Sequence, residues 1–465
     1  MPLSGEVTRA LDAVEGGALP RSLETETLEF KTQGRSIGDT LRDLAEAAAC
    51  FANSRGGSIV VGVADDQGGQ QGLVSTELDG VQTRRRIFEL TEPSLTVGVE
   101  ELRRSGARLL VITVPESPDV HAVAGRSTER IDNGCQPMSP SRIAAVVDDR
   151  RGHDWSAEDS GVGLGALDRQ ALDLARAMLE RTHDPRRASL SRRSAEDLLR
   201  ALGVMSERQT LTNAGALLFT RLNEDARITY VHRRTPAGAL TVNEVLGPPL
   251  LPAIERALDL VEVRTDRTPV NLPGGQQLQL ADLPSVAVRE AVVNAVMHRD
   301  YRRPGPVQVE HTATRLAVTS PGPFVSGVTV ENVLTTSPRS RNSSLANAVR
   351  GLGLAESAGS GVDRMYAEMA RIGHQPPTFT ADADRIQVTL LGGRPNAFVA
   401  RFVATLPADE ADDADTMLTL LRLLTRRTVS AAVMSPLLQK SEDETQAVLD
   451  RLASESVRLL ERTRE

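Results

Sequence analysis

One stretch constrains this chain more than any other: Arg289-Glu290-Ala291-Val292-Val293-Asn294-Ala295-Val296-Met297-His298-Arg299-Asp300-Tyr301. Read as a helix over residues 284–297, it places Glu290, Asn294 and His298 four residues apart on one face. Val292, Val293 and Val296 fall on other faces, where they can pack on a sheet. A carboxylate and an amide on consecutive turns suit a magnesium-nucleotide. Asn294 can ligate the metal through its carbonyl oxygen, and Glu290 can orient or deprotonate water at the terminal phosphate.

Of the 54 basic residues only Lys31 and Lys440 are lysine. The arginine bias reads as codon usage in a GC-rich genome, and the absence of GxxxxGK[ST] excludes a P-loop. The phosphate-binding element has to come from elsewhere. Alternating runs over 306–312 and 315–319 read as antiparallel strands, followed by Ser320-Pro321-Gly322-Pro323-Phe324. A loop rich in Thr, Ser, Arg and Asn spans 334–344 and holds Arg341 and Asn342. Ala358-Gly359-Ser360-Gly361 then precedes a helix over 362–371, and 385–391 reads as a closing strand. Glycines at a helix N-terminus let backbone N–H groups approach phosphate oxygens. Each piece is common by itself; their order is what is specific.

That order resembles the GHKL ATPase superfamily, in the divergent branch found in bacterial regulators and once labelled helicase-like. The resemblance covers about residues 283–391 and is carried by REAVVNAVMHRDY, SPGPF, SRNSSLANAV and ESAGSGVDRM. It implies Glu290 as the water-activating residue, Asn294 as the magnesium ligand, and Gly359, Ser360 and Gly361 as the phosphate loop of a lid over ATP. His298, Asp300, Gly322, Arg341 and Asn342 would be further nucleotide contacts. Ser320 stands where the superfamily's adenine-reading DxGxG box has its aspartate.

Residues 23–147 alternate strands and helices: strands over 27–31, 57–63 and 108–114, and an Ala-rich buried helix over 39–53. On the first strand Glu29 and Lys31 project to the same face. Asp65, at the end of the second, meets Glu29 if the strands are neighbours. With Glu24 these carboxylates and the lysine suit either a metal-dependent phosphodiesterase site or a solvated salt-bridge face. Arg84-Arg85-Arg86 is the best basic candidate of the block for nucleic-acid contact. Aromatic residues make up only 3% of the chain, which argues against a base-stacking platform. The block resembles the Schlafen/AlbA-type domain through ExxxxEFK, CFANSRGGSIVVGVADDQG and ERIDNG. That resemblance implies a nuclease centre at Glu24, Glu29 and Asp65, or the DNA-binding module of many bacterial relatives.

The last residues read as three helices over 417–424, 430–438 and 441–455, with Ser441-Glu442-Asp443-Glu444 a capping box and a strand-like 457–461 after them. This resembles a winged helix-turn-helix. The third helix opens with three acids that phosphates repel. Contact with DNA through Lys440, Arg451 and Arg458, or dimerisation, therefore stand as alternatives.

The reading is an α+β, multidomain chain. An N-terminal arm (1–20) leads into a Schlafen/AlbA-type α/β domain (21–150), a helical connector (155–222) and a GHKL Bergerat-type α/β sandwich (223–394). An acidic linker (395–415) and a winged-helix-like domain (416–465) follow. Trp155 is expected as an interdomain plug. No run approaches the ~20 apolar residues of a membrane span, and the first residues lack a signal peptide's pattern. A cytoplasmic protein without membrane contact is expected. Cys50 and Cys135 show no CxxC spacing and read as packing residues. The net charge of -8 leaves room for a local basic patch only. The expected function is a homodimeric transcriptional regulator. In it ATP and Mg2+ switch the hold on nucleic acid, double-stranded DNA foremost, with ATPase turnover left open. The alternative is a metal-dependent nuclease acting on RNA or single-stranded DNA and gated by ATP.

Overall fold

A computed structural model describes the chain except residues 1–4, 132, 183, 223–224, 226, 272–276, 326, 337–338, 356–360, 383, 455–456, 458 and 462–465. It divides into two compact units, Met1–His153 and Asp154–Glu465.

The first unit runs α1 (Gly5–Glu15), β1 (Leu28–Lys31), α2 (Ile37–Ala52), β2 (Gly57–Val61), α3 (Gly80–Leu90), β3 (Thr91–Glu92), β4 (Gly98–Arg104), β5 (Ala107–Val114), β6 (Ala122–Val123), β7 (Thr128–Ile131), β8 (Gly134–Pro137) and α4 (Pro140–Arg151). Its central sheet has the order β1-β2-β5-β4. The β1 and β2 strands are parallel, with α2 as the crossover, and the other pairings are antiparallel. Alternation assigns the faces. Ile59, Val61, Leu110 and Ile112 join the core beneath α2, while Val60, Leu109 and Val111 join Leu28 and Phe30 on the other face. That second face is covered by α1, whose Val7, Ala10, Leu11 and Val14 follow a helical stripe. The N-terminal segment, read as an arm, is thus a core element of this unit.

Cys50 at the end of α2 and Cys135 in β8 form a disulfide with Cα atoms 6.0 Å apart. This corrects their reading as packing residues. Their separation of 85 residues carries no spacing signal, and only the return of β7–β8 to α2 brings them together. Disulfides are rare in cytosolic proteins, so this cross-link pulls against the cytoplasmic expectation.

The second unit opens with β9 (Asp159–Val162), α5 (Arg169–Glu180), α6 (Pro185–Leu190), α7 (Ala195–Ala201), β10 (Leu211–Thr212) and α8 (Asn213–Phe219). Then come β11 (Ile228–Arg233), β12 (Leu240–Leu246), α9 (Leu250–Glu262), β13 (Arg267–Asn271), β14 (Gln277–Ala281), α10 (Ser285–His298), β15 (Val307–Thr312) and β16 (Arg315–Pro321). It continues with α11 (Ser343–Gly351), α12 (Gly361–Arg371), β17 (Thr378–Ala381), β18 (Arg385–Leu391), α13 (Ala397–Val403), α14 (Ala408–Asp412), α15 (Ala414–Leu423), α16 (Ala431–Leu438) and α17 (Glu442–Leu452). A six-stranded sheet has the order β12-β11-β15-β16-β18-β17, with only β11 and β15 parallel. One continuous core joins the connector helices through Leu172, Leu198 and Leu218 to α9, α10, α11 and the sheet.

The acidic segment 395–415, expected as a linker, is helical. Val399, Val403 and Ala411 pack against Ala367 and Ala370 of α12. Glu410 and Asp413 are not solvated acids: both accept from the Arg451 guanidinium, at 2.6 and 2.8 Å. In the tail, α15 to α17 match the three expected helices, and the Ser441–Glu444 capping box is present. The expected strand over 457–461 does not form among the described residues. Leu459 and Leu460 instead donate their N–H groups to the Leu452 carbonyl.

The disulfide supplies a prediction. Without reductant, Cys135→Ser should destabilise the first unit by about 2–4 kcal/mol, because an open chain loses more entropy on folding. With reductant, variant and wild type should unfold together in a thermal melt.

Candidate functional site

Helix α10 is held by its apolar sides: Val288, Val292, Val293 and Val296 lie in the core shared with β15 and β16. That leaves Glu290, Asn294 and His298 along the remaining face, where they line a cavity of about 430 Å3. Ligand pockets span roughly 300–1,000 Å3, so the space suits a small molecule. Its apolar side is formed by Val318, Phe324, Met365, Phe379 and Val388, and its polar side adds Arg339, Asn347 and Arg350.

Gly361 closes the cavity floor where α12 begins. A Cβ there would sit 2.5 Å from Glu290 Oε2 and 3.4 Å from Asn294 Nδ2. A side chain at this position would have to displace the Glu290 carboxylate. Gly359 and Ser360 lie outside the described residues. Ser320 lines the cavity and donates its hydroxyl to the Ala295 carbonyl at 2.7 Å. His298 lines the same cavity. Burial first, then the Arg341 and Arg350 charges, push its imidazole down to about 4, so it is neutral at physiological pH.

The other expected nucleotide contacts hold the scaffold. The Asn342 amide is buried and donates to the Met297 and Arg299 carbonyls at 2.9 and 2.8 Å, closing the end of α10. Arg341 donates to the carbonyls of His298 at 3.3 Å and Pro323 at 3.1 Å. Asp300 is buried against Arg302 at 3.0 Å. Burial alone would raise its carboxyl, but the Arg302 bond and charge outweigh that and hold it below the usual range. Gly322 has a φ of 107°, and a Cβ on it would meet Arg341 Nη1 at 2.7 Å and Asp300 Cβ at 2.8 Å. These four residues therefore fix the walls rather than line the cavity.

Residues the sequence reading passed over sit on α11. Ser343, Asn347 and Arg350 all line the cavity, and their i, i+4, i+7 spacing marks one helical face. The N-terminus of that helix is held by the start of the connector: Ser344 N–H donates to Asp154 Oδ2 at 2.7 Å and Leu345 N–H to Ser156 Oγ at 3.1 Å. Trp155, between those two caps, stacks on Tyr301 with ring centroids 5.6 Å apart.

The loop after β16 contributes Val325, Val328, Val333 and Thr336 to the cavity. It is pinned from outside by Gln439, the residue that ends α16. Its Oε1 accepts from Leu334 N–H at 2.8 Å, and its Nε2 donates to the Val330 carbonyl at 2.9 Å. Leu334 packs on the cluster of Leu418, Met434 and Leu438. The C-terminal helices therefore grip a wall of the cavity directly.

In the first unit, Glu24, Glu29, Lys31 and Asp65 do come within electrostatic reach of one another. Burial raises the Glu24 carboxyl above its usual range; Glu29 and Asp65 add to this, and the Phe30 N–H it accepts opposes it. Burial would lower the Lys31 amine, but its bond to Glu29 and the other two carboxylates raise it overall. Glu29 pairs with Lys31 at 2.6 Å and with Arg130, whose buried guanidinium also lies over the Phe51 ring at 4.6 Å. Arg130 belongs to the ERIDNG motif and gives Glu29 a second cationic partner. Among the described residues, no group of three His, Cys, Asp or Glu side chains is placed to hold a metal ion.

The expected nucleic-acid contacts are largely committed elsewhere. Arg85 and Arg86 pair with Glu89 at 2.7 and 2.9 Å, and Arg84 donates to the Val99 carbonyl at 3.4 Å. Lys440 pairs with Asp415 at 2.7 Å, and Arg451 is held by Glu410 and Asp413. Arg458 lies outside the described residues. Among the described residues, no helix is long and apolar enough to cross a membrane.

Comparison with known proteins fits this geometry. Residues 24–139 match the family model described as "Schlafen, AlbA_2". Residues 305–390 match the one described as "Putative ATP-dependent DNA helicase recG C-terminal". Residues 24–139 thus form a Schlafen/AlbA-like domain and residues 305–390 part of an ATPase-like one. The second match starts beyond α10 and does not reach Glu290 or Asn294. Among solved structures it is similar to the DIP2311 protein from Corynebacterium diphtheriae. The two are 29% identical over 92% of this chain and 88% of that one, with a TM-score of 0.59. No curated protein gives a significant match.

Acid should loosen the second unit. His311 is buried, shares a 2.8 Å hydrogen bond with the Tyr230 hydroxyl, and is pushed down to about 4 by burial first and then by His232 and Arg264. His298 behaves alike. Unfolded, both take a proton near 6.5, so between there and about 4 the unfolded state binds more protons. Stability is therefore full above pH 6.5 and falls as pH drops toward 4, by up to about 3 kcal/mol per histidine. A His298→Gln variant should lose melting temperature less steeply than wild type across that window.

Proposed function

We propose that the chain is an ATP-responsive, nucleic-acid-binding regulator. The observation that carries this reading is the shared wall of one cavity by Glu290, Asn294 and the Gly361 start of α12, with Gln439 gripping the loop on the cavity's other side. The donor set fits the nucleotide. Asn294 would hold magnesium through its amide oxygen, and magnesium takes few protein ligands when phosphates and waters complete its shell. Glu290 would orient water at the terminal phosphate, and Arg339 and Arg350 would meet phosphate charge. Bound magnesium-ATP supplies the triphosphate charge that these groups lack by themselves. The apolar side accepts a flat base, and Ser320 takes the place of the usual acidic adenine reader.

A ligand shifts a protein only through differential affinity for its states. Nucleotide preference for one arrangement of the 323–340 loop would pass through Val330, Leu334 and Gln439 to the C-terminal helices. A homodimeric transcriptional regulator whose grip on double-stranded DNA follows that change is the finer form of the proposal. The nuclease reading has weaker support, because Glu29 is held by Lys31 and Arg130.

The test is duplex DNA affinity at fixed salt, with and without magnesium-ATP. Wild type should shift at least about fivefold, a coupling of about 1 kcal/mol. Asn294→Ala should abolish the shift, and Gln439→Ala should weaken it while nucleotide binding is kept. A wild type whose DNA affinity ignores nucleotide sinks the switch.

A further inference from the structure

The chain is acidic overall, yet residues 181–193 hold five arginines, Arg181, Arg186, Arg187, Arg192 and Arg193, against the single acid Asp184. All five are exposed. Short α6 is anchored by Leu190, which packs on the main core, and by the Ser191 hydroxyl donating to the Ala188 carbonyl at 2.8 Å. Arg187 pairs with Asp184 at 3.6 Å. Arg181, Arg186, Arg192 and Arg193 have no carboxylate partner among the described residues. This sets them apart from Arg85, Arg86, Lys440 and Arg451, whose charges are met within the protein.

We infer that this arginine patch on the connector is the surface that grips the nucleic-acid phosphate backbone, an inference that rests on the nucleic-acid reading above. Four observations carry it. The positive charge is uncompensated where the rest of the chain is net negative. Arg186 and Arg187 lie on α6 and Arg192 and Arg193 just beyond it, across a helix roughly 9 Å long, so several phosphates fall within reach. Between them Ala188, Ser189 and Ser191 are small, Leu190 packs on the core and none is aromatic, which suits backbone positioning rather than base reading or stacking. Finally, the patch adjoins the cavity. Arg187 donates to the Arg350 backbone carbonyl at 3.3 Å, and the Arg350 side chain lines the cavity beside Asn347, to which it donates at 3.1 Å. On the other flank, Arg176 of α5 donates to the Arg193 carbonyl at 3.4 Å. Phosphate drawn onto the patch would thus pull on the helix that walls the nucleotide site.

The experiment measures binding of a short fluorescent DNA duplex as salt rises between about 50 and 200 mM. The variants are Arg181→Gln/Arg186→Gln/Arg192→Gln/Arg193→Gln and, for comparison, Arg84→Gln/Arg85→Gln/Arg86→Gln. The first should weaken binding at least about tenfold and flatten the slope of log affinity against log salt by about 3–4, near one per lost phosphate contact. Its unfolding temperature should stay at the wild-type value, since the four side chains are exposed. The second should change the slope far less. If the connector variant keeps wild-type affinity and slope, the patch is overturned while the nucleic-acid reading stands. If wild type binds neither duplex, single-stranded DNA nor RNA, that reading falls and the patch with it.

Discussion

The buried amide of Asn342 sets the geometry on which the second unit depends. A helix end leaves backbone carbonyls without partners, and burying them unmet would cost about 1–3 kcal/mol each. At the end of α10, Asn342 and Arg341 satisfy those carbonyls, and Arg341 reaches on to Pro323 at the root of the cavity loop. Because Asn342 is also the residue that opens α11, the same contact fixes where Asn347 and Arg350 face the cavity. Asp154 and Ser156 secure that helix from the connector side. A connector, a helix end and a loop are thereby locked into one wall.

This arrangement shows which parts of the site could be read from sequence. The face of Glu290, Asn294 and His298 was legible because helical periodicity alone places it, and α10 does present it to a cavity. The family resemblance implies Arg341 and Asn342 as nucleotide contacts, but they hold backbone instead. Their partners are backbone carbonyls 18, 43 and 45 residues away, which no local pattern reveals. The disulfide escaped for the same reason. The acidic 395–415 segment escaped for another: a carboxylate read as solvated becomes structural once an arginine from α17 arrives.

Charge allocation is the thread linking the two units. With almost every cation an arginine, carboxylate pairing is available throughout the chain, and many arginines are taken up by it. Arg130 neutralises Glu29 in the first unit, and Arg451 neutralises Glu410 in the second. Basic residues that look like a binding surface in sequence are therefore poor guides until their partners are known. Arg181, Arg186, Arg192 and Arg193 stand out because they have no carboxylate partner among the described residues, not because their run is longer than that of Arg84 to Arg86.

The central claim is that the cavity along α10 takes a nucleotide. It is tested most directly by thermal unfolding of wild type and Gly361→Val with millimolar magnesium-ATP. A ligand that binds the native state alone raises stability by about 2.7 kcal/mol at a hundredfold excess over its dissociation constant. The account predicts a rise of several degrees for wild type and none for the variant, whose side chain would fill the space before Glu290. A wild-type melting temperature indifferent to magnesium-ATP would contradict it.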